Sequence, residues 1–255
     1  MSNPEEIPKR IFQTWKEKNV HNPILKSWQN SWKKYNPDYF YELWDDEDNR
    51  EFIKAHYPDF LKIFDRYDKP IKRADAIRYF YLYHYGGIYA DLDFECLKNF
   101  DQLLLIQSKT DVIFGTLGQM DTEKYKLHTI PNAIMISKKG SEFFKVVIDA
   151  LISIGNDNNL APEIATGPVL LFVCYVYYKT QNKNLNLLIS LYGKDIFENI
   201  SPSFSSKIFI VEPKILYPIN WDNCTHKEYY KRLNTEKPEE IFKESYAITY
   251  WMHSW

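Results

Sequence analysis

The sequence predicts an α/β fold, a mixed and mainly parallel sheet flanked by helices. Two observations carry this expectation. Short apolar runs of strand character alternate with stretches of helical period, and the best-defined helix passes straight into a strand through a glycine pair. No repeat, low-complexity tract or Gly/Ser linker interrupts the chain, so residues 1–255 are expected to form a single domain.

The elements follow in order. RIFQTW (10–15) comes after Pro8 and reads as the first strand. ILKSWQNSWKKY (24–35) places Ile24, Trp28, Trp32 and Tyr35 on one helical face. YFYELW (39–44) is a second strand. WDDEDNRE (44–51) lacks the glycine and the spaced glutamate of a calcium loop, and its acids suit a solvated helix start at the positive end of the dipole. DKPIKRADAIRYFYLYHYGG (68–87) has Asp68 and Pro70 as start signals, apolar residues on a 3 to 4 residue period, and Gly86 as a stop. GIYADLD (87–93) then reads as a strand leaving a buried sheet, with DVIFGTL (111–117) and NAIMIS (132–137) as further strands.

Composition narrows the function. A hydrophobic share of 45% is ample for a core, and no apolar run approaches the roughly 18 residues that span a bilayer. MSNPEEIPKR has no signal pattern, so a cytosolic protein is expected, one that still admits peripheral membrane contact. Cys96, Cys174 and Cys224 lie too far apart for a close-spaced zinc motif. With 34 acidic and 32 basic residues, the chain lacks the basic surplus of a nucleic-acid binder. Its 20 tyrosines, 16 phenylalanines and 7 tryptophans are expected to fill the core for the most part.

Ligands of such sheets bind beyond the carboxyl ends of the strands, where Asp91 and Asp93 are expected to emerge. Two residues apart in a strand, both carboxylates would face one ligand and offer hard oxygen donors to Mn²⁺ or Mg²⁺. The bland alternative is a pair of solvated acids. Asp75 and Arg78, three apart on the preceding helix, would bring an acceptor and a cation to the same cleft, or would form an ordinary surface ion pair. Asn132 beside a strand suits a ligand contact or a structural hydrogen bond. TGPVLL (166–171) reads as a glycine turn with proline opening a helix whose start either faces an acceptor or simply turns the chain.

The run RADAIRYFYLYHYGGIYADLD resembles the A-x-x-R-x-x-x-L-x-x-x-G-G-x-Y-x-D-x-D segment of glycosyltransferase family 32, sugar-binding transferases related to yeast mannosyltransferases. IPKRIFQTWK (7–16), NPDYFYELWDD (36–46), NAIMIS, TGPVLL and YAITYWMHSW (246–255) are similar to that family too. Phe12 departs from it, since members often carry His there.

The resemblance implies a GT-A fold, Rossmann-like, and a retaining hexosyltransferase. It also implies a nucleotide-diphosphate sugar donor, GDP-mannose or a UDP-hexose, a glycan or lipid-linked acceptor, and Mn²⁺ or Mg²⁺. By position Asp93 resembles the direct metal ligand, and Asp91 a ligand to the ribose or, through water, the metal. Asp75 and Arg78 resemble the pair that holds the donor sugar, with Arg78 counted beside Asp91 and Asp93 as catalytic, and Trp15 is similar to an aromatic stacked on the nucleobase. In the tail, His253 offers an imidazole to the metal, and Ser254 and Trp255 offer donors to the diphosphate. Segment 246–255 is accordingly expected to close over the site.

No carboxylate stands out as the nucleophile of a two-step retaining mechanism, which favours front-face attack. A D-x-D phosphatase is a poor rival, because Phe94 follows the motif and the Asp75/Arg78 helix would have no role. A non-catalytic sugar-binding protein is the stronger alternative.

Overall fold

Alternation along the strands sets the architecture. In the computed structural model, which describes residues 6–118, 129–181, 190–219 and 232–252, neighbouring strand residues enter opposite apolar clusters. On β1 (Arg10–Thr14), β3 (Gly87–Ala90), β5 (Val112–Phe114) and β6 (Ile134–Ser137), the side chains of Ile11, Ile88, Ile113, Ile134 and Ile136 form one cluster. Phe12, Tyr89, Val112, Phe114 and Met135 form the other. That is the period-2 signature of a sheet buried on both faces.

Helices cover each face. α4 (Pro70–Tyr85), α6 (Glu142–Ile154) and α8 (Pro168–Thr180) pack on the Phe12 side, and α1 (Pro23–Tyr35) and α5 (Asp101–Ile106) on the Ile11 side through Trp32 and Leu103. Each large apolar side chain so buried contributes roughly 1.5–3 kcal/mol. The aromatics behave as core filler, as expected: Phe12, the residue that departs from the family pattern, is fully buried with its ring 3.8 Å from Tyr81.

With β2 (Phe40–Trp44) and β7 (Ile208–Ile210) at its edges, the main sheet has the order β2-β1-β3-β6-β5-β7. β1 lies parallel to β2 and β3, and β5 parallel to β7, while β6 is antiparallel to both neighbours. This is the mixed, mainly parallel sheet expected of the GT-A type. No helix among the described residues is long and apolar enough to cross a membrane.

Local signals account for the element ends. Asp45 and Asp48 form a reciprocal capping box, so the acidic stretch is the start of α2 (Asp46–His56). α4 stops at Gly86, whose φ of +69° suits glycine and whose Cβ, if present, would lie 2.5 Å from the Lys139 backbone nitrogen. Gly87 is needed for the same reason, because a Cβ there would meet the Arg10 carbonyl at 2.6 Å.

The structure corrects one expectation. The strand after the glycine pair ends at Ala90, and residues 91–93 form a turn that leads to β4 (Phe94–Cys96). The Asp91 carbonyl accepts the Phe94 N–H at 3.1 Å and the Gln13 side-chain amide at 3.1 Å. Asp91 and Asp93 therefore do not share a strand face. They are brought to one cavity by a turn. β4 pairs antiparallel with β8 (Ala247–Thr249), which carries the C-terminal segment to that turn. Beyond β8, the Tyr250 ring stacks on Trp28 at 4.3 Å.

Candidate active site

α4 supplies the floor. Asp75 and Arg78 lie three residues apart with relative exposures of 5% and 2%, so their ion pair, at 2.9 Å, is buried and not the surface contact that a lone i,i+3 pair suggests. A buried pair is stable only if its remaining polar atoms are satisfied. Here they are. The Arg78 guanidinium donates to the carbonyls of Asn132 (2.8 Å) and Ala74 (3.2 Å), approaches Asp91 Oδ1 at 3.3 Å, and lies 4.7 Å from the Tyr89 ring centroid. The Asn132 amide donates to Asp75 Oδ1 and to the Tyr79 hydroxyl, each at 3.0 Å. Asn132 thus makes the structural hydrogen bond and also lines the cavity.

The start of α8 closes the far side of Asp75. The Thr166 hydroxyl donates to Asp75 Oδ2 at 3.4 Å, and the Tyr79 hydroxyl donates to the Thr166 carbonyl at 2.9 Å. Gly167 is held here by close approach, since a Cβ would lie 2.8 Å from Glu163 Cα and 3.2 Å from Asp75 Oδ2. The TGP turn is therefore a wall of this site, with Pro162 and Pro168 on the cavity.

Asp91 and Asp93 stand above the floor. Asp91 Oδ1 accepts the Tyr89 hydroxyl, and Asp93 Oδ2 accepts the Met252 N–H at 3.0 Å, which ties the turn to the segment after β8. Together with Trp15, which follows β1 and packs in its own apolar cluster, these residues line a cavity of about 280 Å³. Burial pushes the Asp75 carboxyl up to about 6, against the pull of Arg78. Burial, reinforced by the charge of Asp91, pushes Asp93 up to about 7, and burial raises Asp91 too.

A cation fits this donor set. Asp75 and Asp91 pair with the Arg78 guanidinium, and carboxylates held above their ordinary range ionise more readily when a positive charge arrives. Asp91 and Asp93 would supply hard oxygen ligands; no group of three or more His, Cys, Asp or Glu placed to hold a metal ion occurs among the described residues. His253, Ser254 and Trp255 lie outside the described residues.

Trp15, Asp75, Arg78, Asp91, Asp93 and Asn132 all line this one cavity. Sequence reasoning missed Tyr89, Gln13, Tyr79, Thr166 and Trp251. Tyr89 was signalled by its place two residues before Asp91, and Thr166 by the TGP turn, while Gln13, Tyr79 and Trp251 reach the site only through tertiary contacts.

Asp75, Asp91 and Asp93 thus line one recessed cavity at the strand ends of a mainly parallel α/β sheet, where such sheets bind their ligands. Residues 24–110, which hold α1, α4 and the Asp91–Asp93 turn, match the family described as the glycosyltransferase sugar-binding region containing the DXD motif. This match and the curated relatives bear out the resemblance to glycosyltransferase family 32. It is 44% identical over 138 residues to mannosyl phosphorylinositol ceramide synthase CSH1 of Saccharomyces cerevisiae, covering 51% of this chain and 36% of that protein. It is 36% identical over 190 residues to inositol phosphoceramide mannosyltransferase 2 of Schizosaccharomyces pombe, covering 72% of this chain and 50% of that protein. The chain therefore spans half or less of the length of these two relatives. Among solved structures, a PaToxG glycosyltransferase aligns with a TM-score of 0.47 and 18% identity, covering 72% of this chain and 74% of that one.

Proposed function

We propose that the protein is a metal-dependent, retaining hexosyltransferase that uses a nucleotide-diphosphate sugar. The observation that carries this reading is the buried network of Asp75, Arg78, Asn132 and Asp91, opening beside Asp93 into one cavity. Similarity to a mannosyl phosphorylinositol ceramide synthase and an inositol phosphoceramide mannosyltransferase favours GDP-mannose over a UDP-hexose as donor. It favours an inositol phosphoceramide-type lipid, over a free glycan, as acceptor.

In this reading Asp93 binds Mn²⁺ or Mg²⁺ directly, Asp91 assists through water or holds the ribose, and His253 completes the protein ligands. A cation held there would supply positive charge against the charge that develops on the departing nucleotide diphosphate. Trp15 stacks on the nucleobase, and Asp75 and Asn132 take hydroxyls of the donor sugar. Arg78 holds Asp75 and Asp91 in position while presenting its positive charge to the cavity. Ser254 and Trp255 donate to the diphosphate as segment 246–255 closes. Asp75, Asp91 and Asp93 each have a binding or positioning role in this reading, which supports front-face attack by the acceptor with its proton passing to the leaving phosphate.

A panel of nucleotide sugars with Mn²⁺, read by thermal shift and by mass spectrometry of products, tests the reading. GDP-mannose should raise the melting temperature and yield GDP. Failure of every nucleotide sugar to bind or turn over would refute it.

A further inference from the structure

The opposite end of the sheet carries a second cavity, of about 520 Å³, that plays no part in the site above. Three segments distant in sequence build it: the loop entering β5 with Lys109 and Asp111, the turn from β6 to α6 with Lys138, Lys139 and Glu142, and the entry to β7 with Lys207. Four lysines face two acids there.

Both acids are already satisfied. Asp111 accepts Lys138 Nζ at 2.9 Å and the Lys207 N–H at 2.7 Å. Glu142 accepts the hydroxyls of Tyr178 and Ser203, each at 2.7 Å, and the Ser205 N–H at 2.8 Å. Lys109, Lys139 and Lys207 are exposed and form no ion pair among the described residues. Three unmatched ammonium groups around one concavity repel each other and focus a positive potential into it. A multiply charged anion relieves that repulsion, and lysine ammoniums bind phosphate as point charges.

We propose that this cavity binds a phosphate-bearing anion, either free in solution or as the headgroup of a lipid. The second source is suggested by an apolar rim. Leu105 and Ile106, 75% and 65% exposed, lie one residue short of the Ser108–Lys109 lining, and Phe209, 41% exposed, follows Lys207 by two residues. Phe209 pairs in register with Ile113, which packs in one cluster with Phe100 and Leu103, so it lies on the sheet face that α5 covers. Exposed apolar side chains beside a lysine cluster suit the surface of an anionic bilayer.

The test uses metal-free protein in EDTA at low salt with two probes: pyrophosphate by calorimetry, and phosphatidylcholine vesicles with or without phosphatidylinositol phosphate by sedimentation. The triple variant Lys109→Ala/Lys139→Ala/Lys207→Ala should lose about tenfold or more in affinity for the probe that binds, whereas Asp93→Ala should bind as the parent does. Pyrophosphate binding that depends on the lysines supports the free anion, and lysine-dependent binding confined to phosphoinositide vesicles supports the lipid. Absence of binding to both probes, or equal binding by the triple variant, overturns the proposal. If the triple variant does not fold, Lys207→Glu alone reads the same contrast. No residue of this cavity belongs to the proposed transferase site, so the two readings fail independently.

Discussion

The two ends of the main sheet differ in sign and in depth. At the carboxyl end, Asp75, Arg78, Asp91 and Asn132 are interlocked on the floor of a cavity, with exposures of a few per cent for the α4 pair. At the opposite end Lys109, Lys139 and Lys207 stand in solvent on separate loops. Charge at the first end is built into the fold, whereas charge at the second is carried by it. Removing a group should therefore disturb structure at one end and only ligand affinity at the other.

The largest effect is expected from Arg78→Met. It would leave Asp75 and Asp91 desolvated without their cation, and breaking a buried pair from one side typically costs about 3–5 kcal/mol. Chemical denaturation should show this loss, and a destabilisation below about 1 kcal/mol would break the comparison. Gly167→Ala comes next, at about 1–3 kcal/mol for overpacking, because its Cβ would press on Glu163 Cα and Asp75 Oδ2. Donor turnover should fall with it if Asp75 is displaced, and a variant with unchanged stability and turnover would show that the α8 start is not a wall of the site.

The effect of pH is intermediate. Asp93 is held at about 7, so below that value protons compete with a cation, and Mn²⁺ affinity measured by calorimetry should drop up to tenfold per pH unit. In the metal-free protein the sign reverses. The folded state keeps a proton that the unfolded chain releases, so this carboxyl lowers stability as pH rises from the ordinary carboxylate range through about 7. Mn²⁺ affinity that stays flat between pH 5.5 and 7.5, about one and a half units below and half a unit above that value, would contradict the assignment. The smallest effect belongs to the other end, where each lysine-to-alanine change should alter stability by no more than about 0.5 kcal/mol, as measured by thermal denaturation.

The same contrast explains what was legible in the sequence. α4 could be bounded from its residues, because Pro70 and Gly86 act locally, whereas its burial at every position from Ala74 to Leu82 comes from tertiary packing. β1 and β2 were legible for a similar reason, as apolar runs with clear limits. The D-x-D was visible, but its geometry was not. β3 gives way after Ala90 to a turn closed by the Phe94 N–H on the Asp91 carbonyl, which also accepts the Gln13 amide from β1. The reversed direction of β6 and the pairing of β4 with β8, more than 150 residues away, likewise depend on topology and not on local pattern. α6 and the lysine cavity carry no motif at all; the first is a buried apolar run, and the second exists only after three loops meet.

The central claim is that Asp93 binds a divalent cation that drives transfer from a nucleotide sugar. Its most direct test compares Mn²⁺-dependent turnover of GDP-mannose by the native protein and by Asp93→Ala, with thermal denaturation as the folding control. The account predicts Mn²⁺-dependent release of GDP by the native protein and a loss of at least about 10²-fold in kcat in a variant that remains folded. Turnover that ignores Mn²⁺, or near-native activity in Asp93→Ala, would contradict it.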